Sequence, residues 1–280
     1  MHSRCGRLRD LYTATFGMSH DEVFVTIVAA VAGPLFWGIR LVRWAEIRRS
    51  GPAVRVAIAT LAACIAVLAG VLSTMAASDV VRSPAYVLMY LTVGLAWIRM
   101  AETGFAFAGV SLREDGAERR NRAALTAWAG GLMAVTLCYA GANVGEGPGW
   151  WVVVFSAALA TAGLFACWLV LGRVTSVIDA VTIDRDPAAG LRLGAFLVAC
   201  ALVAGRAVAG DWASAAQTIR DAAHELPALA LVVIVAVLAE RRARPTAERP
   251  RAPFAALGVG PAVAYLAIAG GVLVDLGWPA

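Results

Sequence analysis

Four stretches, Val56–Ala77, Ala123–Gly145, Trp150–Gly172 and Ala252–Val274, each run for more than twenty residues without one charged side chain. A helix needs about 20 apolar residues to cross roughly 30 Å of hydrocarbon, so each is long enough to span a bilayer. A buried helix of a soluble protein is seldom both so long and so free of charge. Composition agrees: 60% of the 280 residues are hydrophobic and 15% charged, against about 45–50% and about 25% in soluble domains. The mean hydropathy is +0.74. The expected fold class is all-α, a polytopic transmembrane helix bundle.

Eight spans can be placed, near 23–42, 53–77, 84–106, 122–143, 149–172, 187–210, 222–240 and 254–275. In the first, Ala30-Val31-Ala32 has the look of a signal cleavage site. Asp21 and Glu22 stand where a signal would carry positive charge, and the apolar run continues to Leu41 and Val42, so the segment reads as an uncleaved span. Gly33-Pro34 is its expected mid-span break.

The even-numbered spans open alike. RSGPAVRVAIAT begins at Arg49, NRAALTAWAGG at Asn121, DPAAGLRLGAF at Asp186 and GPAVAYLAIAGG at Gly260, and successive openings at Gly51, Asn121, Asp186 and Gly260 are separated by 70, 65 and 74 residues. The implied unit is a pair of helices joined by a short basic turn, present four times, each pair burying its small-residue face against a neighbour. The chain then divides into an extracytoplasmic segment 1–22 and two four-helix units, 23–145 and 146–280. Proline at or near the first turn suits a helix start, because its missing N–H would be unpaired there anyway. Asn121 and Asp186 suit N-caps; with Gly51 and Gly260 they are the four candidate helix caps of the repeat.

Small residues recur every four positions at Ala62-Ala66-Gly70, Ala123-Ala127-Gly131, Ala158-Ala162-Ala166 and Ala201-Gly205-Ala209. On a helix each set lines one face, and such faces let backbones approach closely in lipid, where apolar burial gains little. All four are expected to be packing seams.

All 24 basic residues are arginine. Without lysine there is no Schiff base to retinal or pyridoxal phosphate and no Walker A loop. The five cysteines show no CxxC spacing and the three histidines are dispersed, so no zinc or haem site is expected, and Cys64, Cys138, Cys167 and Cys200 read as small core residues. No cofactor is expected. The formal charge of +5 sits between apolar runs, where it orients the chain and does not suggest a nucleic acid. Turns after odd-numbered spans hold fifteen arginines: Arg40, Arg43, Arg48, Arg49, Arg113, Arg119, Arg120, Arg122, Arg173, Arg185, Arg241, Arg242, Arg244, Arg249 and Arg251. The opposite side holds six, Arg82, Arg206, Arg220, Arg4, Arg7 and Arg9. The positive-inside rule puts the larger set in the cytoplasm and both termini outside. Trp150, Trp151, Trp212 and Trp278 are then expected at the outer interface, and Trp44 and Trp97 near the inner one.

The phrase Asn121-Arg122-Ala123-Ala124, leading into a small-residue helix with Gly130 and Gly131, resembles the inner-membrane family called domain of unknown function 350 (DUF350). That family has two similar helix pairs, each with a Gly-Asn-x-Ala-x-Ala opening; Asp186-Pro187-Ala188-Ala189 and Gly260-Pro261-Ala262 are degraded forms of it, and Gly51, Asp186 and Gly260 lack the asparagine. The resemblance implies two such domains in tandem over about 23–280, a bacterial inner-membrane location, and envelope maintenance beside partner proteins.

A charge at mid-membrane costs at least about 2.5–3.5 kcal/mol and usually marks function. Arg99 and Glu102, spaced to share a helix face, are the candidate polar pathway: submerged if the third span continues through Phe105-Ala106-Phe107, interfacial if it ends near residue 103. Arg55, Arg192 and Arg206 are expected to snorkel from span ends, and Asp211 and Asp275 to be solvated. Asp179, Asp184 and Asp186 could hold a divalent cation or form a charged turn, and Asp211 with His224 and Glu225 is a weaker cluster. No spacing supplies a nucleophile with its base or a paired acid and base, so no enzyme is expected. The leading reading is a non-enzymatic envelope module whose partners are the lipid bilayer, a membrane or cytoplasmic protein, or a second copy of the chain. The alternative is a small-solute or ion transporter using Arg99 and Glu102, since duplicated helix pairs recur in transporters.

Overall fold

The computed structural model describes residues 18–45, 51–244 and 253–277. Arg4, Arg7, Arg9, Cys5, His2, Arg48, Arg49, Arg249, Arg251 and Trp278 lie outside the described residues. The described chain is helical without strands: α1 (His20–Ala45), α2 (Gly51–Thr74), α3 (Ser78–Arg82), α4 (Pro84–Thr103), α5 (Arg122–Gly141), α6 (Trp150–Val174), α7 (Val177–Thr182), α8 (Pro187–Ala207), α9 (Ala215–His224), α10 (Leu226–Ala243) and α11 (Gly260–Asp275). Two π-helical turns, Leu112–Glu118 and Phe254–Val259, lead into α5 and α11. Eight helices are long and apolar enough to cross a membrane: α1, α2, α4, α5, α6, α8, α10 (together with α9) and α11. Phe24, Ile27, Val31 and Leu35 form an exposed apolar face on α1, and Leu231, Ile234 and Leu238 form another on α10. Faces of that kind suit lipid. The protein is an all-α, multi-pass membrane helix bundle.

Helices α5 and α8 are the centre. Their apolar windows are 72% and 78% buried, against 17% to 22% for α1, α2, α10 and α11, which therefore form the periphery. The two central helices run parallel, since Ala123 meets Gly190, Gly130 meets Gly194 and Gly141 meets Gly205 in ascending order. They touch backbone to backbone. A Cβ added at Gly130 would lie 2.4 Å from the Gly194 Cα, and one at Gly141 would lie 2.3 Å from the Gly205 carbonyl oxygen. Only glycine permits this approach.

The small-residue sets on these two helices are seams: Ala123, Ala127, Gly131, Ala201 and Gly205 are buried. Those on the other two are not. Ala62, Ala66 and Gly70 of α2, and Ala158, Ala162 and Ala166 of α6, are exposed. Four-residue spacing puts residues on one face but does not say which way the face points. In α2 the buried face is instead Ala53, Ala57, Cys64, Leu68 and Leu72. The expected break at Gly33-Pro34 is also absent, because α1 is continuous through Pro34. Gly33 instead admits α4, whose Leu95, Ala96 and Thr92 atoms would be 3.3 Å from an added Cβ.

The turns into α5 and α8 share a construction. Arg120 and Arg185 hold left-handed backbone (φ 52° and 56°), a conformation costing of order 1–3 kcal/mol for a side chain with a Cβ. Each is followed by a cap whose backbone N–H donates six residues back, Asn121 to Asp115 O and Asp186 to Ala180 O, both at 2.9 Å. The cap side chains then accept from the first free N–H groups of the helix, Ala123 and Ala124 for Asn121, Ala188 and Ala189 for Asp186. Asn121 also donates through Nδ2 to the buried Val181 carbonyl at 2.6 Å, linking the two turns. Gly51 and Gly260 are the first residues of their helices, and at Gly260 the preceding π-turn continues straight into α11.

Candidate functional site

Helix α4 ends at Thr103, yet Glu102 in its last turn is buried, its side chain 2% exposed. The chain beyond folds back instead of leaving the bundle. Phe105 is buried against Trp168, ring centroids 5.1 Å apart, and over Gly131. Glu102 therefore lies inside the bundle. Its Oε2 accepts from Arg99 Nη1 at 2.9 Å, both oxygens accept from Arg40 Nη2 at 3.3 Å, and Oε1 accepts from Trp128 Nε1 at 3.3 Å. These donors come from α4, α1 and α5. Trp37 borders the group, with the Arg99 guanidinium carbon 6.0 Å from its ring centroid and its own Nε1 donating to Leu95 O. The spacing of Arg99 and Glu102 was visible in sequence. Arg40 and Trp128 were not recognised as their partners, being 62 and 26 residues away from Glu102.

A second buried ion pair was missed. Arg192 does not snorkel: it is 2% exposed and forks onto Glu240, Nε to Oε1 at 2.6 Å and Nη2 to Oε2 at 2.9 Å. Its Nη1 donates to Leu257 O at 2.6 Å, so α8, α10 and the turn before α11 meet at one guanidinium. Bidentate pairing of this kind is strong and geometrically specific. Two signals could have exposed it. Arg192 lies five residues past Pro187, about 8 Å into the helix at 1.5 Å per residue, too deep to be an end residue. Glu240 also repeats the Ala-Glu step of Ala101-Glu102 at the same end of an odd-numbered span.

The opposite end of the bundle is acidic. A cavity of about 160 Å³ is lined by Glu22, Asp79, Glu146, Asp211 and Asp221, with Tyr90, Asn143 and Ser156 and no arginine or histidine. Its walls are tied by the 143–149 loop: Ser78 N donates to Glu146 Oε1 at 2.9 Å, Glu146 N to Asp211 Oδ1 at 2.8 Å and Trp212 N to Glu146 O at 2.8 Å. Gly145, at φ 101°, permits this, since a Cβ there would sit 2.3 Å from the Gly210 carbonyl carbon. Asp211 is thus engaged by the loop, while His224 and Glu225 line a separate cavity of about 190 Å³ with Arg206 and Asp221. Arg206 donates to the Leu276 and Gly277 carbonyls, closing the end of α11. Trp151 packs edge-on against Trp212, 5.5 Å between centroids, at this acidic end. Trp97 lies between helices, donating to Thr161 Oγ1 at 3.2 Å. Asp186 spends its carboxylate on the α8 cap, and among the described residues no three of His, Cys, Asp and Glu converge as a metal ion requires.

No protein-family model, curated protein or solved structure matches the chain.

Proposed function

We propose that the chain is a non-enzymatic membrane module that works through partner proteins and does not carry a solute. One observation carries the reading: Glu102 is held by donors from three helices, Arg40, Arg99 and Trp128. A carboxylate so engaged fastens α1, α4 and α5. A transport site must instead release and rebind its ligand. Arg192 and Glu240 fasten α8, α10 and the α11 entry in the same manner. The sign of charge also argues against passage, since a cation drawn to the carboxylate-lined cavity would meet guanidinium groups at the other end. On this reading the arginine-bearing turns face the cytoplasm of a bacterial inner membrane, both termini lie outside, and the four helix pairs descend from one DUF350-like unit. The phrase at Asn121 and the matched turns at Arg120 and Arg185 support that descent.

The test is flux in vesicles containing the purified protein, with potassium, sodium, chloride and radiolabelled amino acids as solutes. No flux above protein-free vesicles is expected. Saturable flux abolished by Glu102→Gln in a folded variant would replace this reading with a transporter. Reporters fused to the turns at Phe107 and Ile183 are expected on one side, and one fused at Pro148 on the other.

A further inference from the structure

Three of the side chains lining the acidic cavity belong to the bundle interior, not to its rim. Tyr90, Asn143 and Ser156 are 7%, 6% and 3% exposed, and all three line the cavity. Asn143 spends its amide N–H on the Tyr139 carbonyl at 2.7 Å. The hydroxyls of Tyr90 and Ser156 make no hydrogen bond within the described protein, and unlike the sealed Tyr265 hydroxyl and Trp168 Nε1 both are open to the cavity they line. Ser156 does not even take the usual option of donating to a carbonyl one turn back in its own helix, which Thr136 and Thr175 both use. Two unspent hydroxyls on a cavity floor, beneath five carboxylates with no cationic side chain among the lining residues, describe a receptor for a positively charged hydrogen-bonding group.

We propose that this cavity binds a small organic cation with separated ammonium groups, a linear di- or polyamine. Two features select that class. The carboxylates do not converge: no three acidic or histidine groups among the described residues are placed to share a metal ion, whereas Ca²⁺ takes six to eight oxygens at about 2.3–2.6 Å. Charge spread over Glu22, Asp79, Glu146, Asp211 and Asp221 matches charge spread along a flexible chain. The volume of about 160 Å³ suits one amine arm and excludes a folded peptide. One ammonium is then held by the Tyr90 and Ser156 oxygens as acceptors, and the remainder by the rim carboxylates. Binding here needs no transport and stands independently of the module reading; flux measurements and equilibrium binding test the two separately.

The experiment is calorimetric titration of spermidine and of calcium chloride into the full chain in nanodiscs of neutral lipid, at 50 mM and 500 mM NaCl. Neutral lipid removes the bilayer as a competing anionic surface. Spermidine is expected to bind with one-to-one stoichiometry, more weakly at high salt, and calcium at least tenfold more weakly than spermidine. Tyr90→Phe and Ser156→Ala remove no hydrogen bond within the described protein, so both should fold, and each should weaken spermidine about tenfold. Asp221→Asn, on an exposed position of the rim, should weaken it less and flatten the salt dependence. Absence of spermidine binding at millimolar concentration overturns the proposal. So does calcium binding as tightly as spermidine, or a folded Tyr90→Phe, Ser156→Ala double variant with unchanged affinity.

Discussion

Replacing Gly130 by alanine adds a single methyl group, yet it tests the contact on which the bundle is centred. The new Cβ would lie 2.4 Å from Gly194 Cα, 2.7 Å from its oxygen and 2.8 Å from its carbonyl carbon. Every one of these atoms is backbone, so no side chain can swing aside. Ordinary carbon contact at about 3.5–4.0 Å requires α5 and α8 to part by roughly 1 Å, a gap that forfeits about a quarter to a half of each facing dispersion contact. Overpacking of this kind costs about 1–3 kcal/mol. Gly163 on α6 is the internal control, because an added Cβ there meets nothing within 4 Å. In an open helical position alanine gains about 0.5–1 kcal/mol over glycine. That gain applies at both helical sites and cancels, so the two single-methyl variants should differ by the overpacking cost, about 1–3 kcal/mol, with Gly130→Ala the less stable. Unfolding by SDS in mixed micelles, followed by tryptophan fluorescence, reads the difference. Equal midpoints for Gly130→Ala and Gly163→Ala, or the greater loss at Gly163, would refute the argument that glycine backbones form the central contact.

Glu240→Ala strands the Arg192 guanidinium and should cost about 3–5 kcal/mol in the same assay, whereas Arg192→Met with Glu240→Leu should recover most of that loss. Asn121→Ala removes both the α5 cap and the bond to Val181 O, so it should destabilise more than Asp186→Ala, whose cap alone is worth about 1 kcal/mol; equal losses would show that the Val181 bond contributes nothing. Cys64, Cys138 and Cys200 are buried, so N-ethylmaleimide should leave them unmodified in the folded protein, as mass spectrometry of the digested protein would show.

The architecture was legible because its signal is one-dimensional. Apolar runs of membrane-spanning length and N-cap residues are properties of consecutive residues, and α4, α5, α6 and α8 start within a residue of where the pattern places them. Partnership across the fold is not such a property. Arg192 looked like a span-end residue because its partner, Glu240, lies 48 positions away at the edge of another helix. The stripes on α2 and α6 were spaced like those on α5 and α8, but the former face outward and the latter are buried among neighbouring helices, a distinction set by those neighbours. The acidic cavity draws its lining from α1, α3, α4, α6, α8, α9 and three loops. No window of sequence contains it. Arg99 and Glu102 were the exception, because one helix carries both.

The abutment of Gly130 on Gly194 and of Gly141 on Gly205 has a consequence for the shape of the whole molecule. Many bundles keep a hollow at their middle that a cofactor or a file of water can occupy. Here main chain touches main chain along the midline, so there is no lumen between α5 and α8. No ligand can therefore pass between these two helices.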